Sequence, residues 1–223
     1  MKYLKDYKLF ESINEAEIHQ VCKKYSISNY TINNEGSIDV DGNVYLNSEG
    51  LTRLPVKFRN ISGYFNCFNN KLTSLEGSPT SVGGYFDCDN NNLTSLLGAP
   101  DEVGDHFYCS YNKLTNLEGA PSQVGGGFYC FNNQLTSLVG LEWKSFKGIY
   151  LNDNPLHEIV KDWINNENRI DLIEYFIDIN VIQDGETKPK LIIPRLEAFH
   201  EEMDLEMNID FGEVKKYYEI IEG

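Results

Sequence analysis

Hydrophobic positions recur through the middle of this chain on a fixed period of 21 residues. Phe65, Phe86, Phe107 and Phe128 form one apolar column, Cys67, Cys88, Cys109 and Cys130 a second, and Leu72, Leu93, Leu114, Leu135 and Leu156 a third. A polar residue keeps step with them: Asn70, Asn91, Asn112, Asn133 and Asn154. A period in this range marks a supersecondary unit that buries its apolar side only by stacking on its neighbours. Within one unit, the alternation of Phe86 and Cys88 with Asp87 and Asp89 predicts a short strand, with the first pair inward and the second outward. Asn91 then enters the interior at a turn. Its amide carries two donors and an acceptor, enough to satisfy backbone groups freed there, so stacked copies predict an asparagine ladder. Leu93 and Leu96 resume the core.

The return limb reads Gly98-Ala-Pro100-Asp-Glu-Val103-Gly104, with counterparts from Gly77 to Gly83 and from Gly119 to Gly125. Glycine and proline would break a helix here, so an extended or polyproline-like back is expected. The glycines before each strand are read as positive-φ turns.

Outside the repeat the periodicity changes. Ile18, Val21, Cys22 and Tyr25 share one helical face within residues 14–25, with Asn14 as N-cap and Glu17 three residues on. Residues 30–32, 37–40 and 44–46 read as strands, and Glu49 breaks the ladder position in the transitional coil. After Pro155, residues 156–164 and 170–177 are helical in period. Residues 181–193 read as a hairpin about Asp184-Gly185, and a further helix covers 194–203 with Pro194 in its first turn. An open stack exposes an apolar face and a sheet edge at each end, so caps are required. The expected fold is therefore a β-rich solenoid with parallel strands on one face over 44–156. It carries an N-terminal helix and hairpin cap over 1–43 and a small α+β region over 157–223, either a cap or a second contact surface.

Phe86-Asp-Cys-Asp-Asn-Asn-Asn-Leu93-Thr-Ser-Leu96 has the form L-x-L-x-x-N-x-L-x-x-L, and this stretch resembles the leucine-rich-repeat family. Leu72-Thr-Ser-Leu75, Leu93-Thr-Ser-Leu96, Leu135-Thr-Ser-Leu138 and Leu51-Thr-Arg-Leu54-Pro55 resemble its short bacterial class, seen in secreted effectors and the ubiquitin ligases built on them. The departures are one extra residue per repeat and Gly-x-Pro in place of the first proline. The repeat wording also resembles repeat proteins of large tailed bacteriophages. The resemblance implies a partner-binding scaffold, and a viral origin would imply engagement or inhibition of a host protein, such as a defence component. The ligase activity would need a nucleophilic cysteine in a large domain after the repeats, and no cysteine follows Cys130.

Charge narrows the partner. The formal net charge is −15. Residues 155–223 hold 17 acids and 7 bases, and residues 1–154 hold 17 and 12. Such a surface repels phosphate backbones and anionic lipid, which argues against direct nucleic-acid or membrane binding and leaves a basic protein as the complementary partner. The charged opening Met1–Lys8 does not fit a signal peptide and no apolar run reaches membrane length, so a cytoplasmic location with reduced cysteines is expected.

The chemistry of catalysis is not legible. His19, His106, His157 and His200 fall in unrelated segments, and no nucleophile motif accompanies them. The repeat cysteines lack C-x-x-C spacing and sit on the inward face, so neither a metal nor a cofactor is expected. Asp87-Cys-Asp-Asn-Asn-Asn92 lacks the glycine and distal glutamate of a calcium loop.

The outward strand positions are the informative ones. They read Tyr64, Asn66, Phe68; Tyr85, Asp87, Asp89; His106, Tyr108, Ser110 with Tyr111 following; Tyr129, Phe131; and Tyr150, Asn152. Outward positions ordinarily favour polar residues. Here they carry aromatics around two aspartates. A self-stacking tyrosine ladder fits them, and so does a protein-binding face. The candidate partner-binding residues are Tyr64, Phe68, Tyr85, Asp87, Asp89, His106, Tyr108, Tyr111, Tyr129, Phe131 and Tyr150. The expected function is non-enzymatic binding of a protein. The alternatives are sequestration of a small molecule or peptide between the tyrosine face and the C-terminal region, an enzyme within 157–223, and an acidic nucleic-acid mimic.

Overall fold

Each 21-residue unit lays down two short parallel strands, one on each of two sheets, in a computed structural model that describes residues 13–136, 138, 140, 147–155, 182–183, 190–202, 215 and 219–222. The face sheet holds β3 (Val44–Tyr45), β5 (Phe65–Asn66), β7 (Phe86–Asp87), β9 (Phe107–Tyr108), β11 (Gly127–Tyr129) and β12 (Gly148–Tyr150). The back sheet holds β2 (Ile38–Val40), β4 (Phe58–Ile61), β6 (Ser81–Val82), β8 (Glu102–Val103) and β10 (Gln123–Val124), with β1 (Tyr30–Ile32) antiparallel on β2. The chain is a β-solenoid. Its register follows the sequence period, with Phe65 opposite Phe86, Phe86 opposite Phe107, and Phe107 opposite Phe128.

The core is made of stacked columns. Phe65, Phe86, Phe107 and Phe128 lie nearly parallel, with successive ring centroids 5.3, 5.4 and 5.2 Å apart. The cysteine column beside them is fully buried, as are the leucines of the limb at 72, 75, 93, 96, 114, 117 and 135. Val82, Val103 and Val124 close the core from the back sheet. Burial pushes the Cys67, Cys88 and Cys109 thiols well above the ordinary range, so they are held protonated.

Of the two backs the sequence allowed, the structure has the extended one, as a second parallel sheet, and not the polyproline-like limb. A polyproline helix leaves its N–H and C=O groups to water. Here the coil spacing sets each against the preceding coil, as where Gly104 N–H donates to Val82 C=O (2.8 Å) and Gly125 N–H to Val103 C=O (2.9 Å). Pro79, Pro100 and Pro121 fall before these strands, where a missing donor does no harm.

The glycines also need correction. Within the repeats, those before the face strands are not in the left-handed region; the positive-φ glycines there are Gly77, Gly98, Gly119 and Gly140, one per coil at the end of the leucine limb, and Gly36, Gly42 and Gly50 precede them with positive φ. Gly83, Gly104 and Gly125 are required for space instead. A Cβ on Gly104 would stand 2.1 Å from the Gly83 carbonyl oxygen, and one on Gly125 would stand 2.2 Å from that of Gly104. Coils can approach at this corner only without side chains.

The asparagine ladder joins each coil to the one before it. Asn112 accepts from Leu93 N–H (3.0 Å) and donates to Cys88 C=O (3.0 Å), Ser110 C=O (3.1 Å) and Cys109 C=O (3.2 Å). Asn70, Asn91, Asn133 and Asn154 repeat the pattern, each accepting from the residue 19 positions earlier. The same step from Glu49 would reach Tyr30, at the start of β1 in the N-terminal hairpin. No earlier coil exists there to be held, which is why the ladder starts at Asn70.

Helix α1 (Glu15–Lys24) has the expected capping box, with Glu17 N–H donating to Asn14 Oδ1 (3.0 Å) and Asn14 N–H to Glu17 Oε2 (2.8 Å). Its Ile18 and Cys22 are buried. β2 pairs parallel with β4, so the segment read as a cap already carries the first strand of the back sheet. Towards the C-terminus β13 (Ile182–Gln183) pairs antiparallel with β14 (Lys190–Ile192), as the hairpin expectation required. β15 (Glu219–Ile221) joins β14 in parallel. Helix α2 (Ile193–Glu202) starts one residue before Pro194. The helices expected over 156–164 and 170–177 lie outside the described residues, as does Leu156, the last member of the leucine column.

Asn112→Ala orphans the Leu93 N–H and leaves the Cys88 carbonyl with the Asn91 amide alone, a loss of roughly 1–3 kcal/mol in chemical denaturation. Asn92→Ala, one residue beyond the Asn91 ladder position in the preceding coil, is expected to cost well under that. Equal losses would contradict the ladder's role. A maleimide reagent is expected to leave the buried repeat thiols unmodified in native buffer and to label them on unfolding, with mass spectrometry counting the adducts. Rapid native labelling of three or more would contradict their burial.

Candidate aromatic face

Because coils superimpose in register, outward residues of the face sheet form columns running along the solenoid. The first column holds Asn43, Tyr64, Tyr85, His106, Gly127 and Gly148; the second holds Tyr45, Asn66, Asp87, Tyr108, Tyr129 and Tyr150. The third holds Asn47, Phe68, Asp89, Ser110, Phe131 and Asn152, and the fourth, at the turn, Ser48, Asn69, Asn90, Tyr111, Asn132 and Asp153.

The tyrosines form two stacks offset by one column. Tyr64 and Tyr85 stack at 4.4 Å in the first column. Tyr108, Tyr129 and Tyr150 stack at 4.8 and 4.5 Å in the second. An edge contact between Tyr85 and Tyr108, at 6.2 Å, carries the aromatic run diagonally across the sheet. The offset has a steric basis: a Cβ on Gly127 would lie 2.9 Å from the Tyr129 ring, so glycine in the first column leaves room for the second-column rings. His106 stands where the stacks cross. Its Nδ1 accepts from Gly127 N–H (2.8 Å), which places the ring proton on Nε2, facing the Asp105 carboxylate at 3.5 Å. His106 is thus a link between coils as well as part of the surface, just as Asn43 Oδ1 accepts from Tyr64 N–H (2.8 Å) three coils earlier.

Tyr111 is the odd member of the turn column. Every residue aligned with it has positive φ, and all the others are serine, asparagine or aspartate; Tyr111 adopts φ 53°. Asparagine and aspartate tolerate the left-handed region, whereas a bulky side chain there is strained. The tyrosine also interrupts a chain of surface amides, in which Asn90 donates to Asn69 (2.8 Å) and Asn69 to Ser48 (3.0 Å). In return Tyr111 makes an edge contact with Phe131 at 5.5 Å and remains 52% exposed.

Asp87 and Asp89 occupy the middle of this surface, half-buried. Asp87 accepts from Asp89 N–H (3.0 Å) and from the Asn66 amide (3.4 Å); Asp89 accepts from Ser110 N–H. Among the described residues, no lysine, arginine or histidine forms an ion pair with either carboxylate. Burial raises Asp87, and burial with the neighbouring Asp87 charge raises Asp89 to about 7. Ser110 was expected to point outward like its column neighbours, and by register it does, yet it is fully buried. Its Oγ lies near enough to Asp89 to favour the ionised carboxyl but completes no hydrogen bond.

The sequence-predicted residues therefore share one surface: Tyr64, Phe68 and Tyr111 are exposed, and Tyr85, His106, Tyr108, Tyr129, Phe131 and Tyr150 are half-buried within it. Tyr45, exposed in the second column, was missed because its coil lacks the ladder asparagine; its alignment one period before Asn66 was the available signal. A cleft of about 460 Å³ opens elsewhere, beside the back sheet, lined by Glu35, Lys57, Glu76, Ser78 and Asp101 among others. Among the described residues, no cluster of metal-ligating side chains occurs and no helix is long and apolar enough to cross a membrane. Comparisons with protein-family models, with curated proteins and with solved structures return no match.

The raised Asp89 carboxyl has a thermodynamic sign. The folded protein keeps it protonated to about pH 7, while the unfolded chain ionises near the ordinary carboxylate value of 3.8. The stability from the protonated form is present at low pH and is lost as pH rises through about 7. Asp89→Asn cannot ionise and keeps an acceptor for Ser110 N–H. The variant is expected to gain on the parent by on the order of 2 kcal/mol between about pH 5 and pH 8, measured by urea denaturation at each pH. A constant difference across that range would mean that Asp89 ionises normally.

Proposed function

We propose that this solenoid is a binding protein without catalytic activity, and that it docks a partner protein on the aromatic face sheet. The observation that carries the reading is Tyr111, a large ring held exposed in a strained left-handed conformation, where its counterparts are serine, asparagine or aspartate. Strain and an interrupted amide chain are costs that packing alone does not require, and such costs gather at functional positions. Around it lie the ring surfaces that protein interfaces use as anchors. The resemblance of the repeat wording to proteins of large tailed bacteriophages makes a bacterial host protein, such as a defence component met in the cytoplasm, the partner to seek. The cleft beside the back sheet favours a second reading, capture of a small molecule or peptide, at a place separate from the tyrosines.

Capture from host lysate on the immobilised protein, with mass spectrometry of what is retained, tests both readings. Tyr108→Ala combined with Phe131→Ala is expected to abolish protein capture, each truncation removing roughly 2 kcal/mol or more. The control pair Glu102→Ala and Gln123→Ala, exposed on the back sheet, is expected to leave capture unchanged. The reverse result would move the docking surface to the back.

A further inference from the structure

The geometry points to a seat for one arginine side chain of a protein partner in the notch formed by Asp87, Asp89 and Ser110 on the face sheet. This rests on the docking surface proposed above and names the chemistry at its centre. In the third column, Phe68 and Phe131 stand three coils apart, and the two positions between them hold Asp89 and Ser110. Aromatic bulk is thus missing where two carboxylates and a hydroxyl converge. Tyr108, next to Asp87 in the second column, forms a side wall.

Three features of the notch ask for a cation from outside. The two carboxylates lack a basic partner among the described residues, although each is desolvated. The Ser110 Oγ is wholly buried in the same column with no hydrogen bond completed. Among the described residues, the titratable groups that act on Asp89 are all acids: Asp87 beside it, Tyr108 on β9, and the thiols of Cys67, Cys88 and Cys109 behind. A metal ion is a poor candidate, because the described residues offer no third ligating side chain. A guanidinium fits the set better than an ammonium. It is planar, weakly hydrated and carries five donors in a fork, enough to bridge both carboxylates while its face lies against Tyr108. Its arrival requires Asp89 to be ionised, so binding releases a proton near neutral pH.

The test uses the full chain, labelled with nitrogen-15, and three capped tripeptides, Gly-Arg-Gly, Gly-Lys-Gly and Gly-citrulline-Gly. Citrulline keeps the shape of arginine without its charge. The arginine peptide is expected to shift the Asp89 and Ser110 amide resonances saturably and to bind about tenfold more tightly at pH 8 than at pH 6, following the ionised fraction of Asp89. The lysine peptide is expected to bind more weakly and the citrulline peptide not at all. Asp89→Asn should lose at least tenfold in affinity and all of the pH dependence. Its fold is safeguarded because Asn152 already occupies the same column. Equal binding of citrulline and arginine, or a pH dependence that survives Asp89→Asn, would overturn the arginine seat. So would a partner whose capture fails with Tyr108→Ala and Phe131→Ala yet ignores Asp89→Asn, and in that case the docking face itself stands. If the arginine peptide binds as expected while partner capture maps to the back sheet, the seat survives and the docking reading falls.

Discussion

A solenoid coil must turn away from its strand, and the turn strips several buried backbone groups of partners. In this protein one side-chain amide per coil answers that problem. Asn112 closes the leucine-limb N–H of the preceding coil, the carbonyl of that coil's cysteine and two carbonyls of its own coil. Because each amide bridges two coils, the separation and register of the coils are fixed by hydrogen bonds as well as by apolar contact. Phenylalanine rings 5.2–5.4 Å apart and corner glycines with no space for a Cβ are then compatible with a single stacking distance. An unsatisfied buried amide costs more than a typical hydrogen bond contributes, so this constraint is stricter than the hydrophobic one.

That fixed register turns the surface into a grid on which each coil can change one square without disturbing the rest. The changes are not random polar replacements. Tyrosine moves from the first column to the second where His106 replaces it, glycine follows at 127 and 148, and the aromatic run crosses the sheet unbroken. The third column loses its phenylalanine for two coils and gains Asp89 and Ser110. The turn column keeps its left-handed conformation throughout and once accepts a tyrosine, at the cost of strain.

The period, the inward columns, the ladder and its start after Glu49, and the capping box at Asn14 were legible because each depends on a side chain whose chemistry admits one role at that spacing. The back sheet was not. Its strands in the repeats, Ser81–Val82, Glu102–Val103 and Gln123–Val124, each carry one buried valine, without the second inward residue that the phenylalanine and cysteine columns give the face. The corner glycines were misread because glycine is permissive: the letter announces that a side chain is excluded, by φ or by a neighbour, without saying which. Gly83 and Gly104 are the second case, Gly77 and Gly98 the first. The membership of the aromatic face could be read, since alternation gives direction. The burial of Ser110 could not, because direction says nothing of what neighbouring coils place above a residue. Tyr111 was half legible: its alignment with Asn69, Asn90 and Asn132 marks a turn that favours asparagine, but the sign of φ needed coordinates.

The two costly squares of the grid adjoin. Asp89 is desolvated beside a like charge, and Ser110, next to it in the column, immediately precedes the strained Tyr111. Neither cost is imposed by stacking, since the same columns elsewhere carry Asn152 and Asn132 without it. A repeat fold stabilises itself through nearest-neighbour terms, so a penalty in the two coils that carry Asp89 and Tyr111 is borne by well-laddered coils on either side. The middle of the array is therefore where a solenoid can best carry a destabilising surface feature. A ligand that neutralises Asp89 and covers Tyr111 would return that energy on binding, which ties the placement of the notch to the architecture that supports it.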